Sequence, residues 1–290
     1  MLIVFNPVAG QRRAQLLWRV LDVMVANGIR IEVAKTQRAG DAEAFARAAA
    51  SRGAGLVVAA GGDGTIAEVA NGLMDSGARL GVIPLGTANV LAHELALPFA
   101  PTAVASALAF GRTRTIWPGL ARGAARSRLF VQMLGVGFDA HVVHRLSVRM
   151  KRYCGRGAYV LQTVRELARY GFVPVRLRLD GAETEAASVI VSKGRLYGGR
   201  YLLAPEARPG EPGFSVVLFD HTGPGAALLY GAALPLDLLA KGRGLRRVRA
   251  RSVEFIGNDS IPAQADGDAA GTAPLAVTDA GRPIEVVVGT

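Results

Sequence analysis

Three glycine-bearing segments stand at the ends of apolar runs near the start of the chain: Asn6-Pro7-Val8-Ala9-Gly10, Gly61-Gly62-Asp63-Gly64-Thr65 and Gly86-Thr87-Ala88-Asn89. The middle one joins the run Leu56–Ala60 to a helical pattern from Ile66 to Leu73. A strand, a tight glycine turn and a helix N-terminus make an anion site. The first N–H groups of the helix lack intrahelical partners, and the helix dipole favours negative charge. Glycines let a phosphate approach the backbone closely. The spacing is neither that of the GxxxxGK[ST] phosphate loop nor that of the GxGxxG dinucleotide turn. Asp63 inside the turn suits a site that also holds a cation or a hydroxyl beside the phosphate. A purely structural reading exists for each segment: Thr65 with Glu68 as a capping box, Asn6-Pro7 as a turn initiator, Thr87 as a helix N-cap.

The elements that must position these residues alternate. Leu2–Phe5, Ile29–Lys35, Leu56–Ala60 and Leu80–Pro84 read as strands. Between them, Leu16 to Val25 repeats at helical spacing until Gly28, Asp41 is placed to cap a helix through Ala50, and further helices begin at Ile66 and Ala88. Strand–helix alternation with short loops predicts a parallel sheet covered by helices. Asn6, Thr36, Gly61 and Gly86 then each follow the C-terminal end of a strand, where open parallel sheets bind ligands.

After Trp117-Pro118-Gly119 the pattern changes. Val175–Leu179 alternates strictly, Asp180-Gly181 is a hairpin turn, and Ala187–Ser192, Phe214–Phe219, Arg246–Phe255 and Ile284–Val288 read as further strands. One helix, roughly Ala158 to Tyr170, interrupts them. The prediction is an α/β domain over 1–117 and a mainly β sandwich over 118–290.

Composition narrows the classes. Half of the 290 residues are hydrophobic and 20% are charged, so a sizeable core forms and disorder is excluded. The single cysteine, Cys154, excludes an internal disulfide framework and a multi-cysteine metal site. The four histidines are scattered, and no zinc spacing or nucleophile elbow occurs. The start of the chain reads as a strand without a signal-peptide pattern, and the longest apolar stretch, Ala226 to Ala240, is broken by Pro235 and Asp237. A cytoplasmic location is expected. The net charge of +11 is carried mostly by arginine. Codon preference accounts for it as well as attraction to an anionic surface does. Two basic regions stand out: Lys241, Arg243, Arg246, Arg247, Arg249 and Arg251, and Arg145, Arg149, Lys151, Arg152 and Arg156. Beside an apolar stretch they suit the inner leaflet of a membrane, or else an edge strand with solvated charges. Aromatic interleaving for nucleic acid is sparse.

Taken in order, the three segments resemble the diacylglycerol kinase and sphingosine kinase catalytic family, in its bacterial lipid-kinase branch. The likeness continues through Gly135-Val-Gly-Phe-Asp-Ala140, Tyr197-Gly-Gly199, Ala204-Pro205 and Asp266-Gly-Asp268. The NAD kinase and phosphofructokinase families share a version of the glycine–aspartate segment. The resemblance implies a kinase that transfers the γ-phosphate of ATP, with Mg²⁺, to a lipid hydroxyl at the membrane surface. Diacylglycerol is the expected lipid, with a sphingoid base or ceramide, or a regulator that binds nucleotide or lipid without turnover, as alternatives. Asn6, Thr36, Gly61, Gly62, Asp63, Gly64, Thr65, Glu68 and Thr87 match nucleotide-binding positions, and Arg152 the phosphate-contacting arginine. Asp268 stands where the family has a glutamate proton acceptor, one methylene longer. Pro212 stands where many members have an aspartate that helps to hold a structural magnesium, which leaves Glu211 as the nearest carboxylate for that ion.

Overall fold

A computed structural model describes residues 1–9, 14–124, 127–145, 162–163, 165–167, 169–239, 244–257 and 261–289. They form two compact units, Met1–Trp117 with Gly281–Thr290, and Pro118–Ala280.

In the first unit, strands β1 (Leu2–Phe5), β2 (Glu32–Lys35), β3 (Leu56–Gly61) and β4 (Arg79–Pro84) alternate with helices α1 (Ala14–Ala26), α2 (Asp41–Ser51) and α3 (Asp63–Leu73). Helices α4 (Val90–Glu94) and α5 (Pro101–Phe110) then lead to β5 (Thr113–Ile116). The sheet order is β2-β1-β3-β4, followed by the C-terminal strand Ile284–Val287 and β5. The first four strands are parallel. Every residue of β3 is buried, as a sheet covered on both faces requires. On one face Leu17, Val20, Leu21 and Met24 of α1 meet Val104, Ala105 and Leu108 of α5 over Ile3, Val58 and Ile83. Helices α2 and α3 pack on each other, and on β1 and β3 respectively. Strand β2 is shorter than the sequence pattern suggests: Ile29 and Ile31 pack against this core but precede the strand.

The last strand corrects the sequence reading. Residues 281–290 were expected in the second domain. Instead Ile284–Val287 runs parallel to β4 and antiparallel to β5, closing the first sheet. Apolar alternation identifies a strand but not its partners, and Val286 is as fully buried here as it would be in a sandwich.

The second unit has two six-stranded antiparallel sheets. One contains β6 (Gly119–Gly123), β7 (Ser127–Phe130), β9 (Val175–Leu179), β10 (Ala182–Ala186), β16 (Val253–Ile256) and β19 (Leu275–Asp279). The other contains β8 (Met133–Val136), β11 (Ser188–Ser192), β14 (Phe214–Phe219), β15 (Leu245–Ala250), β17 (Pro262–Ala265) and β18 (Asp268–Thr272). Their inner faces share one core, in which Leu177, Val253, Phe255 and Val277 meet Val136, Val189, Phe214 and Val216. Strands β12 (Leu196–Tyr197) and β13 (Tyr201–Leu202) form a separate ribbon, and helices α6 (Phe138–Arg145) and α7 (Pro224–Ala233) complete the described elements used here.

The run Arg246–Phe255 is two strands, β15 and β16, which belong to different sheets. The break is fixed by Asp180, whose carboxylate accepts from the backbone N–H groups of Arg251 and Ser252 at 2.8–3.1 Å. Asp180 and Gly181 also make the β9–β10 turn, with φ of 48° and 90° as a two-residue hairpin demands.

Candidate functional site

The parallel order β2-β1-β3-β4 brings the predicted turns of the first unit to one edge of the sheet. Asn6 links two of them. Its Oδ1 accepts from Val8 and Ala9 N–H at 3.0 and 3.3 Å, and its Nδ2 donates to Thr65 Oγ1 at 3.0 Å. The Thr65 hydroxyl lies over Gly61, where any Cβ would collide with it. The second and third turns meet backbone to backbone. A Cβ on Gly86 would stand 2.5 Å from Gly62 Cα and 2.8 Å from Asn89 Oδ1, so only glycine fits. Leu85 and Gly86 N–H both donate to Gly61 O, at 2.9 and 3.2 Å. Thr36 joins the same edge, its N–H donating to Phe5 O at 2.9 Å. Thr87 is exposed there, and Gly62, Asp63 and Gly64 are half-buried.

Three local expectations are corrected. Helix α3 starts at Asp63 with Gly62 as its cap, so Thr65 and Glu68 form no capping box. Glu68 instead reaches across to α2, its carboxylate accepting from Gly40 N–H at 3.0 Å and Ala42 N–H at 3.2 Å. A carboxylate at a helix N-terminus satisfies orphan donors and the dipole together. Asp41 therefore does not cap its own helix. It accepts from Gln37 and Arg38 N–H at 2.8 and 3.0 Å, and these bonds hold its carboxyl below the usual carboxylate range. Thr87 is not an N-cap either: α4 begins after Asn89, and Asp63 Oδ1 accepts from Val90 N–H at 2.6 Å. Asp63 thus ties the second turn to the third. Asn89 is 1% exposed and its Oδ1 has no hydrogen-bond partner among the described residues, which leaves an acceptor at this edge.

In the second unit the turn Asp266-Gly267-Asp268 separates two carboxylates by role. Asp266 is buried, and accepts from Val131 N–H at 2.7 Å, Gln132 N–H at 2.9 Å and Met133 N–H at 3.0 Å. Its φ of 50° lies in the left-handed region that Asp tolerates. Asp268, at the start of β18, has a side chain 38% exposed and pairs with Arg128 at 3.3 Å. A hydrogen-bonded chain leads to this turn: Tyr197 OH donates to Asp139 Oδ1, Gln264 Nε2 donates to Asp139 Oδ2 at 2.9 Å, and Gly267 N–H donates to Gln264 Oε1 at 2.8 Å. Asp139 as a residue is only half-buried, but desolvation of its carboxyl pushes the pKa up, against the pull of the Tyr197 and Gln264 bonds. Gln264 and Arg128 were not singled out in the sequence. Gln264 sits two residues before Asp266 with an amide that both donates and accepts, and that proximity is the signal available.

Glu211, the carboxylate expected nearest the structural metal, is engaged by arginines. Its carboxylate pairs with Arg249 at 2.9 Å and Arg208 at 3.4 Å, and these partners hold its carboxyl below the usual range. Arg152 lies outside the described residues, as do Arg149, Lys151, Arg156, Lys241, Arg243 and most of the helix expected at Ala158–Tyr170. The remaining arginines of the first basic region are largely matched: Arg246 with Asp220 at 2.8 Å, Arg249 with Glu211, and Arg247 3.9 Å from Glu206. Strand β15 is a sheet edge, where such charges also discourage edge-to-edge pairing.

Turns joined at the ends of parallel strands, with a sandwich bearing a carboxylate turn, define the class. Residues 1–120 match the diacylglycerol kinase catalytic domain, and residues 132–288 match the YegS C-terminal NAD kinase beta sandwich-like domain. A diacylglycerol kinase of Bacillus subtilis (strain 168) is 31% identical over 225 residues, 74% of this chain and 72% of that one. A Pseudomonas putida protein named "Probable lipid kinase YegS-like" is 30% identical over 242 residues, 82% of this chain and 78% of that one. The fold is that of a crystal structure of a diacylglycerol kinase from Bacillus anthracis str. Sterne, with TM-score 0.73 at 20% identity, covering 99% of this chain and 96% of that one. The chain belongs to the diacylglycerol kinase-like family of lipid kinases. Among the described residues no helix is long and apolar enough to cross a membrane.

Proposed function

We propose that this kinase transfers the γ-phosphate of ATP to the hydroxyl of a membrane lipid, with diacylglycerol the leading acceptor. The observation that carries the reading is the cluster of turns in the first unit, where Gly62 and Gly86 bring two turns backbone to backbone at the ends of the parallel strands β3 and β4. Asn6, Thr36, Gly61 to Thr65 and Thr87 are the proposed nucleotide contacts, with Glu68 supporting them by fixing the start of α2. Asp63 is the proposed carboxylate for the magnesium that accompanies the nucleotide, and an oxygen donor of this kind fits that ion. When bound, the ion neutralises charge on the phosphates. Asp268 is the proposed group that orients the acceptor hydroxyl and takes its proton, with Arg128 paired to its carboxylate at 3.3 Å.

The proposed acceptor lies at a bilayer surface. Support comes from α7 and the turn after it: none of the α7 residues is buried, and Leu228, Leu229, Leu236 and Leu238 are all exposed. No charged side chain occurs from Thr222 to Leu236. Exposed apolar elements of this kind mark interaction surfaces, and the +11 net charge favours an anionic leaflet.

The test uses γ-labelled ATP, Mg²⁺ and mixed micelles carrying diacylglycerol, a sphingoid base or ceramide. Transfer to diacylglycerol that disappears in Asp268→Ala, with nucleotide affinity kept, supports the proposal. Transfer confined to the sphingoid base or ceramide would reassign the acceptor. Nucleotide binding with no transfer to any of the three would favour a regulator.

A further inference from the structure

The resemblance implies a structural magnesium at the turn 208–213, and the donors present do not fit one. Pro212 has no side-chain ligand, and the Glu211 carboxylate is bound to arginines. The turn does hold a cation of its own. Lys193, the residue after β11, has a side chain 1% exposed. Its ammonium donates to Glu211 O at 3.0 Å, Gly213 O at 2.8 Å and Asp279 Oδ1 at 2.9 Å. Three donors thus meet three acceptors, which is the full capacity of an ammonium. The Phe214 ring centroid lies 4.9 Å from Nζ and covers a further side. The other Asp279 oxygen accepts from Gly213 N–H at 2.7 Å, so the same carboxylate grips both the lysine and the turn.

We infer that the Lys193 ammonium is the resident cation of this turn, so that the second unit keeps its geometry without a divalent ion. A magnesium ion placed here would have to displace the ammonium, which already binds both carbonyls and the Asp279 oxygen. Among the described residues no group of three or more His, Cys, Asp or Glu side chains is placed to hold a metal. Burial pushes the Lys193 pKa down, and the bond and charge of Asp279 oppose that shift. An unpaired buried ammonium would be costly, and the oxygens around it answer that cost. The lysine also connects the turn to the carboxylate site. Its backbone N–H donates to Gln132 O at 2.8 Å, and Gln132 N–H is one of the three amides bound by Asp266.

The experiment is thermal unfolding of the full chain without nucleotide, in excess EDTA and in millimolar MgCl₂. The wild-type midpoint is expected to be the same in both. A midpoint that falls in EDTA and returns with Mg²⁺ overturns the inference. Lys193→Met keeps most of the stem and removes the charge. It is expected to lower the midpoint by roughly 5–10 °C, because it takes the cation from the part-buried Asp279 carboxylate and the donor from two carbonyls. Asp279→Asn in the Lys193→Met background is expected to cost less than Asp279→Asn alone. An unchanged midpoint in Lys193→Met, or additive losses in the pair, would show that the ammonium is not what holds the turn.

Discussion

The loops at the strand ends of the two units differ in whether backbone meets backbone: it does so at the glycine turns of the first. In the first unit the glycine turns meet backbone to backbone, Gly86 against Gly62, and Asn6, Asp63 and Asn89 add side-chain bonds. In the second unit carboxylates from one loop accept backbone N–H groups of another: Asp266 from residues 131–133, Asp180 from residues 251–252, and Asp279 from Gly213. Carboxylate capping fixes long loops between sheets, and here it also sets Asp268 two residues from an anchored position.

The largest effect should come from forcing the glycine contact apart. In Gly86→Ala the new methyl meets backbone rather than a movable side chain, so one turn must shift. A displacement of about 1 Å at a positioning loop can cost about 100-fold in rate, and overpacking adds about 1–3 kcal/mol of destabilisation. Phosphoryl transfer and nucleotide affinity should both fall by at least that rate factor. Near wild-type activity would mean that the turns are not held against each other as described.

The carboxylate side of the comparison is sharpened by two neighbouring substitutions. Asp266→Ala removes the acceptor of three buried N–H groups, and about 3 kcal/mol of stability should be lost in urea unfolding. Asp268→Asn removes one partner of a part-exposed ion pair, worth at most about 1 kcal/mol. Its stability should stay close to wild type while transfer falls by about 100-fold or more, the scale of a general base. If the two swap roles in these assays, Asp266 rather than Asp268 addresses the acceptor.

These cases show what could be read from residues alone. The glycine turns were legible because close backbone approach admits no other residue, and their order along alternating strands fixed the parallel sheet. The sandwich was legible from alternation, but not its membership, since the strand 284–287 carries the same pattern that a sandwich strand would. Aspartate roles were the least legible. Asp63, Asp180, Asp266 and Asp279 all accept backbone N–H groups across loops, and such bonds depend on which loops the sheets bring together. Lys193 was invisible for the same reason: a lysine after a buried strand has no meaning until three oxygens surround it.

A smaller effect is expected at Glu68. Glu68→Gln keeps the shape but weakens the acceptor for Gly40 and Ala42, so about 1 kcal/mol of stability should be lost. Nucleotide affinity should fall only slightly, since Glu68 acts through the start of α2. A loss of affinity as large as that of Gly86→Ala would place Glu68 on the nucleotide itself.

The smallest effect concerns Asp139, where the two kinds of loop control can be separated by pH. Its carboxyl is raised above its ordinary value of 3.8 by burial, so the folded state binds this proton more tightly than the unfolded chain. The associated stability is fully present below that value and is lost as pH rises through the folded-state pKa. Asp139→Asn removes the titration while keeping the network, because an amide can accept from Gln264 and donate to the Tyr197 oxygen. The variant should therefore lose the decline in stability above the ordinary carboxylate value that the wild type shows: the two proteins should match in acid, and the variant should be the more stable at neutrality. Urea midpoints followed across that interval give the answer. Parallel curves for the two proteins would show that Asp139 is not desolvated, and that the chain from Tyr197 to Gly267 is held by hydrogen bonds that burial leaves unperturbed.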